Sequence, residues 1–321
     1  MSAAPAPAAP PLPAGAWVRA GLAPGFRAEA VVLDVDGVLI DVRGSFREAA
    51  RQTVVTVQRL LGVADPWRPS QQDIVDLKSA RGFNDDIDVS IALAALGADG
   101  RQAELPGLRA AVDAIGGGLA GLRRVAPDLR RIDGTLVLRI FDELYWGADA
   151  TERRGGEPAR YGADRRGLIE REELLIAPAL PERLRASGAR AVAIVSGRTR
   201  LEMDAALDRL GWTASDLDAV VTGDAIRKPD PACLDCVVAA TGVGSLVYVG
   251  DVRDDWELVR RYRNERAGAA EARGILVGAT GDVSPMRALG VDATLERTED
   301  LIALLSTWAH MDTQASSSPP G

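Results

Sequence analysis

The chain has 321 residues, a length that accommodates about two domains, and its 47% hydrophobic and 26% charged residues are typical of folded globular proteins. Its formal net charge of −8 argues against binding nucleic acid or docking on an anionic membrane, because both need a basic surface. The negative net charge does not exclude a small phosphorylated metabolite as substrate, since a site that binds one phosphate group needs only local positive charge.

The Ala/Pro-rich residues 1–25 are expected to be disordered, with Trp17 and Val18 as an anchor, and the Ser/Pro-rich residues 311–321 are expected to be disordered as well. The first residues lack the basic-then-apolar order of a signal peptide, and no apolar run approaches the roughly 20 residues of a membrane span. Two cysteines cannot form a disulfide framework. We therefore expect a cytoplasmic protein, either a monomer or a homodimer.

Five short runs rich in Val, Ile and Leu lack polar alternation, which predicts parallel strands covered on both faces. These runs are Ala30–Leu33, Ala191–Val195, Ala219–Val221, Leu246–Val249 and Gly274–Val277. Helical patterns separate the last four, at Arg200–Leu210, Ala232–Thr241 and Asp255–Asn264. The alternation predicts an α/β fold with a doubly wound parallel sheet.

The first two strands are separated by roughly 155 residues, far more than a crossover connection needs. Ser45–Glu48 predicts a capping box and a helix after it, and three further helical patterns follow at Asp85–Leu96, Leu105–Ile115 and Leu136–Trp146. We predict a core over residues 26–43 and 176–310, and a mostly helical cap domain over residues 44–175.

Reactive side chains follow four of the predicted strands, at the carboxyl edge where open parallel sheets bind ligands. Asp34 and Asp36 follow the first strand. One carboxylate can act as a nucleophile and the other can exchange protons. Gly37 allows a sharp turn beside them. The alternative interpretation of Asp34, Asp36 and Gly37 is an acid-rich turn after a strand, without a chemical role.

Asp251 and Asp255 follow the fourth strand and can face one cavity if a helix begins at Asp255. Their carboxylate oxygens are ligands of the kind that Mg²⁺ takes. Asp254 is a competing ligand, and a helix cap is the alternative for Asp254 or Asp255.

Ser196 and Gly197 follow the second strand and open the predicted helix, where a hydroxyl and free N–H groups can bind phosphate oxygens. A plain N-cap explains Ser196 as well. Lys228 follows the third strand and is one of only two lysines among 38 basic residues, which indicates a chemical need for a compact positive charge. A solvated surface lysine is the alternative.

These residues form four strings: Asp-Val-Asp-Gly-Val from Asp34, Ser196 after a strand, Lys-Pro-Asp-Pro from Lys228, and Gly-Asp-x-x-x-Asp from Gly250. In this order they resemble the haloacid dehalogenase superfamily of phosphohydrolases, over about residues 28–43 and 178–305. The helical insertion resembles the cap of the phosphoglycolate phosphatase and phosphoglucomutase branch. The resemblance also implies a central strand before Asp34, flanked by the strands before Ser196 and Asp251.

The resemblance implies a role for each matching position. Asp34 would be the nucleophile that forms an aspartyl-phosphate, Asp36 the general acid and base, and Lys228 a further catalytic group. The implied phosphate-binding residues are Ser196, Gly197 and Lys228, and the implied Mg²⁺ ligands are Asp34, Asp36 (through its carbonyl), Asp251 and Asp255. The chain departs from the pattern at Val252, where Ser or Thr is common, and in Ser-Gly-Arg-Thr from Ser196, where many relatives have Thr or Ser followed by Asn; Arg198 is therefore a candidate substrate contact.

The predicted cap would exclude water and select the leaving group. Candidate substrate contacts are Arg43, Lys78, Arg81, Asn84 and Arg198. For the segment from Lys78 onwards, a helix-to-helix turn capped by Asn84 or Asp85 is the alternative.

The remaining signals are weaker. Cys233 and Cys236 have no partner ligands for zinc, so we predict a buried structural role. His310 is the single histidine, which argues against chemistry that depends on histidine. Gly116–Gly118 follows no predicted strand and is expected to be a flexible loop.

The sequence thus predicts a Mg²⁺-dependent phosphatase that acts on a small phosphate monoester. Three alternatives remain: a phosphomutase of the same fold, a metal-free dehalogenase, and a non-catalytic module that binds phosphorylated ligands.

Overall fold

A computed structural model describes residues 11–22, 26–83, 85–155, 158–162, 164–278 and 283–310 of the chain. Asn84, residues 1–10 and 23–25 of the first predicted disordered tail, and the whole of the second, residues 311–321, lie outside the described residues. The chain divides into two compact units. The core unit comprises residues 1–40, 174–251 and 255–321, and the helical unit comprises residues 41–173 and 252–254. The cap predicted over residues 44–175 differs from the helical unit by a few residues at each end.

The described strands are β1 (Trp17–Val18), β2 (Ala30–Leu33), β3 (Ile40–Asp41), β4 (Glu173–Leu174), β5 (Ala191–Val195), β6 (Ala219–Val221), β7 (Ser245–Gly250), β8 (Glu271–Val277) and β9 (Ala293–Leu295). The described α-helices are α1 (Phe46–Leu60), α2 (Gln71–Lys78), α3 (Asp86–Ala98), α4 (Leu105–Ala114), α5 (Gly118–Val125), α6 (Gly134–Trp146), α7 (Ala148–Gly155), α8 (Leu180–Ala186), α9 (Arg200–Leu210), α10 (Ala232–Thr241), α11 (Arg253–Glu265), α12 (Ser284–Ala288) and α13 (Leu301–His310).

The core unit is built on a sheet with the strand order β1-β9-β8-β7-β2-β5-β6. Neighbouring strands from β9 to β6 run parallel. All five predicted strands are present, as β2, β5, β6, β7 and β8. The apolar runs of β2 and β5 are fully buried, as expected for strands covered on both faces. The predicted doubly wound α/β fold is therefore confirmed, with β2 between β5 and β7.

The sheet buries its faces against amphipathic helices. Leu234 and Val237 of α10, and Leu258, Val259 and Tyr262 of α11, belong to one buried cluster with side chains of the sheet. Removing such side chains from water is the main favourable contribution to folding. The packing fixes the strands, and thereby fixes the loops at their carboxyl ends.

The N-terminal segment is attached to the sheet at Trp17 and Val18, the two residues expected to anchor it. Trp17 and Val18, inside the stretch expected to be disordered, form β1 and pair antiparallel with β9. The Trp17 ring lies 5.6 Å from the Arg287 guanidinium, and the Arg19 side chain is paired with the buried Asp292 at 2.8 Å. An aromatic contact and an ion pair thus attach this short segment to the sheet edge.

The helical unit has its own apolar interior. Phe46 of α1 stacks on Tyr145 of α6, with ring centroids 4.3 Å apart, and Val54 and Val57 of α1 are buried. The predicted capping box at Ser45 is not formed. The Ser45 hydroxyl instead donates to the Glu172 carboxylate at 3.1 Å.

The predicted helices are found as α1, α3, α4 and α6, whereas α2, α5 and α7 were not predicted. Strands β3 and β4 pair with each other, and the boundary between the two units runs through both of them. Within the described part of the chain, no helix combines the length and apolarity that crossing a membrane would require.

Candidate active site

The candidate site begins where the central strand β2 ends. Leu33, its last residue, lies opposite Ile194 of β5 and Val249 of β7. Asp34 is the next residue, and its N–H donates to the Val249 carbonyl at 2.8 Å. The parallel register therefore brings the residues that follow β5 and β7 to the same sheet edge as Asp34.

Lys228 connects this strand end to α11. Its ammonium donates to Asp34 Oδ2 and to Asp255 Oδ1, both at 2.7 Å, and to the Tyr248 hydroxyl at 3.3 Å. The Lys228 side chain is 2% exposed, so it is not a solvated surface lysine. These three contacts match the three N–H donors of an ammonium group.

The carboxylates form a candidate cation site. One oxygen from each of Asp34, Asp251 and Asp255 lies within 4.8 Å of the others. A set of hard oxygen donors at this spacing fits Mg²⁺. Because α11 begins at Arg253, the expectation that a helix starts at Asp255 is wrong by two residues, and neither Asp254 nor Asp255 is an N-cap.

Two glycines make room for these carboxylates. Gly37 has a φ of +73°, and a Cβ atom there would lie 2.0 Å from Asp251 Oδ2. A Cβ atom at Gly250 would lie 2.3 Å from the Asp255 side chain. Both positions therefore exclude any larger residue while the acidic groups keep their places.

Burial and charge together determine the protonation of the site. Burial, against the opposing charge of Lys228 and with help from the Asp255 and Asp36 carboxylates, raises the pKa of Asp34 to about 6. Burial alone would lower the pKa of Lys228, but Asp255 and Asp34 outweigh it, and that pKa lies well above its ordinary value. Lys228 is therefore charged at neutral pH.

The loop after β5 differs from its predicted form. Ser196 is buried, but α9 begins only at Arg200, with Thr199 as N-cap in a capping box with Glu202. Ser196 and Gly197 therefore precede the helix and do not open it, and Ser196 is not an N-cap. The Ser196 hydroxyl oxygen lies 3.4 Å from the N–H of Arg198.

Asp36 is paired with Arg198, which lies within this loop. Its Oδ1 atom accepts a hydrogen bond from Arg198 Nε at 2.7 Å. The Arg198 side chain is 0% exposed, whereas the Asp36 side chain is 32% exposed. Arg198 therefore contacts Asp36 from inside the core unit, and the Asp36 carboxylate lies partly open to solvent.

The candidate substrate residues of the insertion have local partners in the helical unit. Arg43 is paired with Asp41, its Nε lying 2.8 Å from Oδ2, and the Lys78 ammonium lies 2.9 Å from Asp86 Oδ2. Arg81 is exposed. Asn84 lies outside the described residues, so its predicted contact has no structural counterpart.

The two cysteines lie on α10 without a bond between them. Cys233 is buried as predicted, but Cys236 is exposed, so the predicted buried position is wrong for Cys236. Burial raises the pKa of Cys233 to about 11, so its thiol is protonated at neutral pH. Gly116–Gly118, predicted as a loop, leads directly into α5, which begins at Gly118.

Sequence reasoning did not identify Tyr248. Its hydroxyl lies 2.9 Å from Asp255 Oδ1 and 3.1 Å from the Val195 carbonyl, in addition to its contact with Lys228. Burial raises the pKa of Tyr248 well above its ordinary value, and Asp255 adds to the shift, so the hydroxyl keeps its proton. A phenol inside an otherwise aliphatic buried strand was the available signal, because buried Tyr hydroxyls need a partner.

Comparison with solved structures places the fold among known proteins. Phosphatase Tt82 from Thermococcus thioreducens is 29% identical with a TM-score of 0.57, and the match covers 79% of this chain and 94% of that one. A hydrolase from Pseudomonas syringae is 17% identical with a TM-score of 0.52, covering 86% of this chain and 97% of that one. A predicted phosphoglycolate phosphatase from Haemophilus somnus is 12% identical with a TM-score of 0.51, covering 87% and 98% respectively. The last two, at such low identity, support the fold alone.

No curated protein sequence matches the chain. The family model described as haloacid dehalogenase-like hydrolase does match, over residues 28–257. That match covers more than half of the sequence and includes Asp34, Ser196, Lys228 and Asp251. The chain therefore belongs to the haloacid dehalogenase-like hydrolase family.

Proposed function

We propose that the protein is a Mg²⁺-dependent phosphatase that hydrolyses a small phosphate monoester through an aspartyl-phosphate on Asp34. The main supporting observation is the buried Asp34 carboxylate, held by Lys228 at 2.7 Å beside the acidic pair Asp251 and Asp255. Such an arrangement gives a nucleophile, a fixed positive charge and a cation site in one place.

Asp34 is oriented for attack by contacts on both of its carboxylate oxygens. Oδ1 accepts the N–H of Val35 at 2.8 Å, and Oδ2 accepts Lys228. In the proposed first step, an Asp34 oxygen forms a bond to phosphorus while the bond from phosphorus to the leaving oxygen breaks. The Lys228 charge stabilises the negative oxygens of the phosphoryl group as they move.

Asp36 supplies and removes the protons. In the first step it gives a proton to the leaving oxygen. In the second step it takes a proton from water, whose oxygen attacks phosphorus and displaces the Asp34 carboxylate. Its 32% exposure gives water access to this side chain, and the two steps together restore the Asp34 carboxylate and the protonated form of Asp36.

The acidic cluster supplies the cation site. Asp34, Asp251 and the carbonyl of Asp36 would hold the ion. Asp255 suits a contact through water, because Oδ2 accepts the N–H of Asp251 and Oδ1 accepts both Lys228 and the Tyr248 hydroxyl, whereas each Asp34 oxygen accepts one donor. When bound, Mg²⁺ would neutralise phosphate charge and lower the pKa of Asp34, which favours the ionised nucleophile.

We further propose that Ser196 and Gly197 bind phosphate oxygens with Lys228, and that Arg43, Lys78, Arg81 and Asn84 contact the substrate. The buried Ser196 hydroxyl supports the first assignment. For the other four, the support is their basic or amide chemistry.

The test is a screen of phosphorylated metabolites with Mg²⁺ that measures released phosphate, with Asp34→Asn as the inactive control. We expect one group of small monoesters to be hydrolysed by the wild type alone. Isomer formation that needs a bisphosphate, without release of phosphate, would indicate a mutase and contradict the proposal. Ligand-induced thermal shifts without any turnover would indicate a binding module.

A further inference from the structure

We infer that Arg198 is a positioning residue for Asp36: it holds one oxygen of that carboxylate so that the other can exchange protons with the leaving group and with water. The inference rests on the proposed phosphatase function and deepens it. It assigns to Arg198 an action through Asp36, in place of the substrate contact that the sequence suggested.

The geometry of the pair supports this assignment. Arg198 Nε donates to Asp36 Oδ1 at 2.7 Å, with the guanidinium side fully buried and the carboxylate side partly exposed. A hydrogen bond from a charged donor is stronger and more directional than one between neutral groups. Asp36 is thus held from the interior through Oδ1, while 32% of its side chain remains accessible to reacting groups.

Arg198 is itself held in place. Its Nη1 atom donates to the Glu202 carbonyl at 3.3 Å, and its own carbonyl accepts the N–H of Gly223 at 2.8 Å. A Cβ atom at Gly223 would lie 2.2 Å from the Gly197 carbonyl oxygen, so the two loops are in close contact. The guanidinium therefore has a fixed backbone and a fixed second partner, as a positioning group requires.

A catalytic group gains most from being held in the geometry of reaction. A misplacement of about 1 Å can reduce a rate by about 10²-fold. If Arg198 acts through Asp36, its removal should reduce only the steps in which Asp36 moves a proton. Transfer of phosphate from an ester whose leaving group needs no proton should be largely unaffected.

The experiment compares kcat/KM for an alkyl phosphate with kcat/KM for p-nitrophenyl phosphate, whose leaving group departs without protonation. We expect Arg198→Met to lower the value for the alkyl ester by about 10- to 100-fold more than for the aryl ester. Asp36→Asn should show the same selective loss. Arg198→Met added to Asp36→Asn should reduce the alkyl rate by no more than about threefold further, because residues that act as a unit are not additive.

Arg200→Met is the matched control. Arg200 lies two residues further on, is 71% exposed and pairs with Asp204, so this variant should match the wild type with both esters. Because loss of a buried arginine can unfold the protein, thermal unfolding is recorded for every variant. Arg198→Lys provides a second test, since one ammonium can replace part of the contact and should restore part of the alkyl rate.

Equal losses with both esters in Arg198→Met, or a full additional loss in the double variant, would overturn the inference and indicate a structural or substrate-binding role. If Arg198→Met does not fold, wild-type rates with both esters in Arg198→Lys would overturn it. If the wild type releases phosphate neither from these esters nor from any monoester of the metabolite screen, the proposed function fails, and this inference falls with it. The wild-type measurement thus separates the two failures.

Discussion

At the scale of single residues, the Asp34 carboxylate makes the contacts on which the proposed chemistry depends. Asp34→Asn keeps the size of the side chain but removes its charge and its nucleophilic oxygen. We expect phosphate release to fall by about 10³-fold or more. Asp255 still pairs with Lys228 in this variant, so the fold should be retained, as thermal unfolding would verify. Turnover equal to that of the wild type would contradict the assignment of the nucleophile.

Lys228 allows a second test at this scale. Its ammonium fills a buried space between Asp34, Asp255 and Tyr248. A guanidinium is larger and planar, so it overpacks this space. Lys228→Arg should therefore lower the free energy of unfolding by about 1–3 kcal/mol. We expect kcat/KM to fall at least about tenfold, since the charge moves away from the phosphoryl position.

Denaturant unfolding of Lys228→Arg measures the loss of stability, and steady-state kinetics measures the loss of activity. Asp208→Asn, an exposed change on α9, controls for nonspecific effects. Wild-type kinetics in Lys228→Arg would show that the compact shape of the lysine does not matter.

The residue types of the site could be predicted from sequence, but their contacts could not. Lys228 was identified because the chain otherwise uses arginine, and Asp34 because two carboxylates follow a strand. The packing of Gly37 against Asp251 joins residues more than 200 positions apart, and no local pattern encodes it. Tyr248 and the pairing of Arg198 with Asp36 depend in the same way on side-chain directions that only the folded chain defines.

At the scale of elements, apolar runs predicted the five parallel strands β2, β5, β6, β7 and β8, and helical spacing predicted the longer helices. Helix caps and short helices were predicted poorly. The helix expected after Ser45 is present, but Glu48, the partner in the expected capping box, forms an ion pair with Arg51 instead. Helix α2 has a true capping box at Ser70, but it spans only eight residues. A capping box is a weak local preference, and tertiary contacts can override it. The tertiary contacts therefore decide whether the box forms.

Helix α6 contains a buried acid that makes the stability of the helical unit depend on pH. Glu143 is 0% exposed, and its carboxylate accepts the N–H groups of Tyr161 at 2.6 Å and Arg160 at 2.8 Å. Burial alone would raise the pKa of Glu143, but these hydrogen bonds and Arg139 outweigh it and lower that pKa. The ionised Glu143 carboxylate therefore stabilises the folded state fully above the unfolded-state pKa of about 4.3. This stabilisation is lost as the pH falls through the lower folded-state pKa.

Glu143→Gln should accordingly lower the free energy of unfolding by about 1–3 kcal/mol at pH 7. The difference from the wild type should shrink as the pH falls below about 4, where the wild-type carboxylate also becomes neutral. Urea unfolding at a series of pH values measures both effects. Glu170→Gln, an exposed change in the same unit, should show neither, and a difference that grows at low pH would contradict the assigned direction.

At the scale of the whole molecule, topology explains why the site could be located before the coordinates were known. Residues that follow parallel strands must meet at one sheet edge. The order β7-β2-β5 puts the strand before Asp34 between the strands before Asp251 and Ser196. Sequence could also indicate that about 155 residues are inserted, because a crossover needs far fewer. The substrate contacts of that insertion follow from no such rule, because loops between helices do not converge on one edge as the loops after parallel strands do.

The last prediction concerns the response of the whole protein to the metal. If Asp34, Asp251 and Asp255 hold Mg²⁺, the ion binds the folded state alone and stabilises it by mass action, by about 2.7 kcal/mol at 100 times the dissociation constant. We expect Mg²⁺ to raise the unfolding temperature of the wild type but not that of Asp251→Asn, and EDTA to abolish phosphate release. Asp251 is only partly buried, so the variant should fold without the ion. Full turnover in EDTA would contradict the metal site and favour the metal-free dehalogenase alternative, whereas an equal Mg²⁺ shift in Asp251→Asn would locate the cation elsewhere.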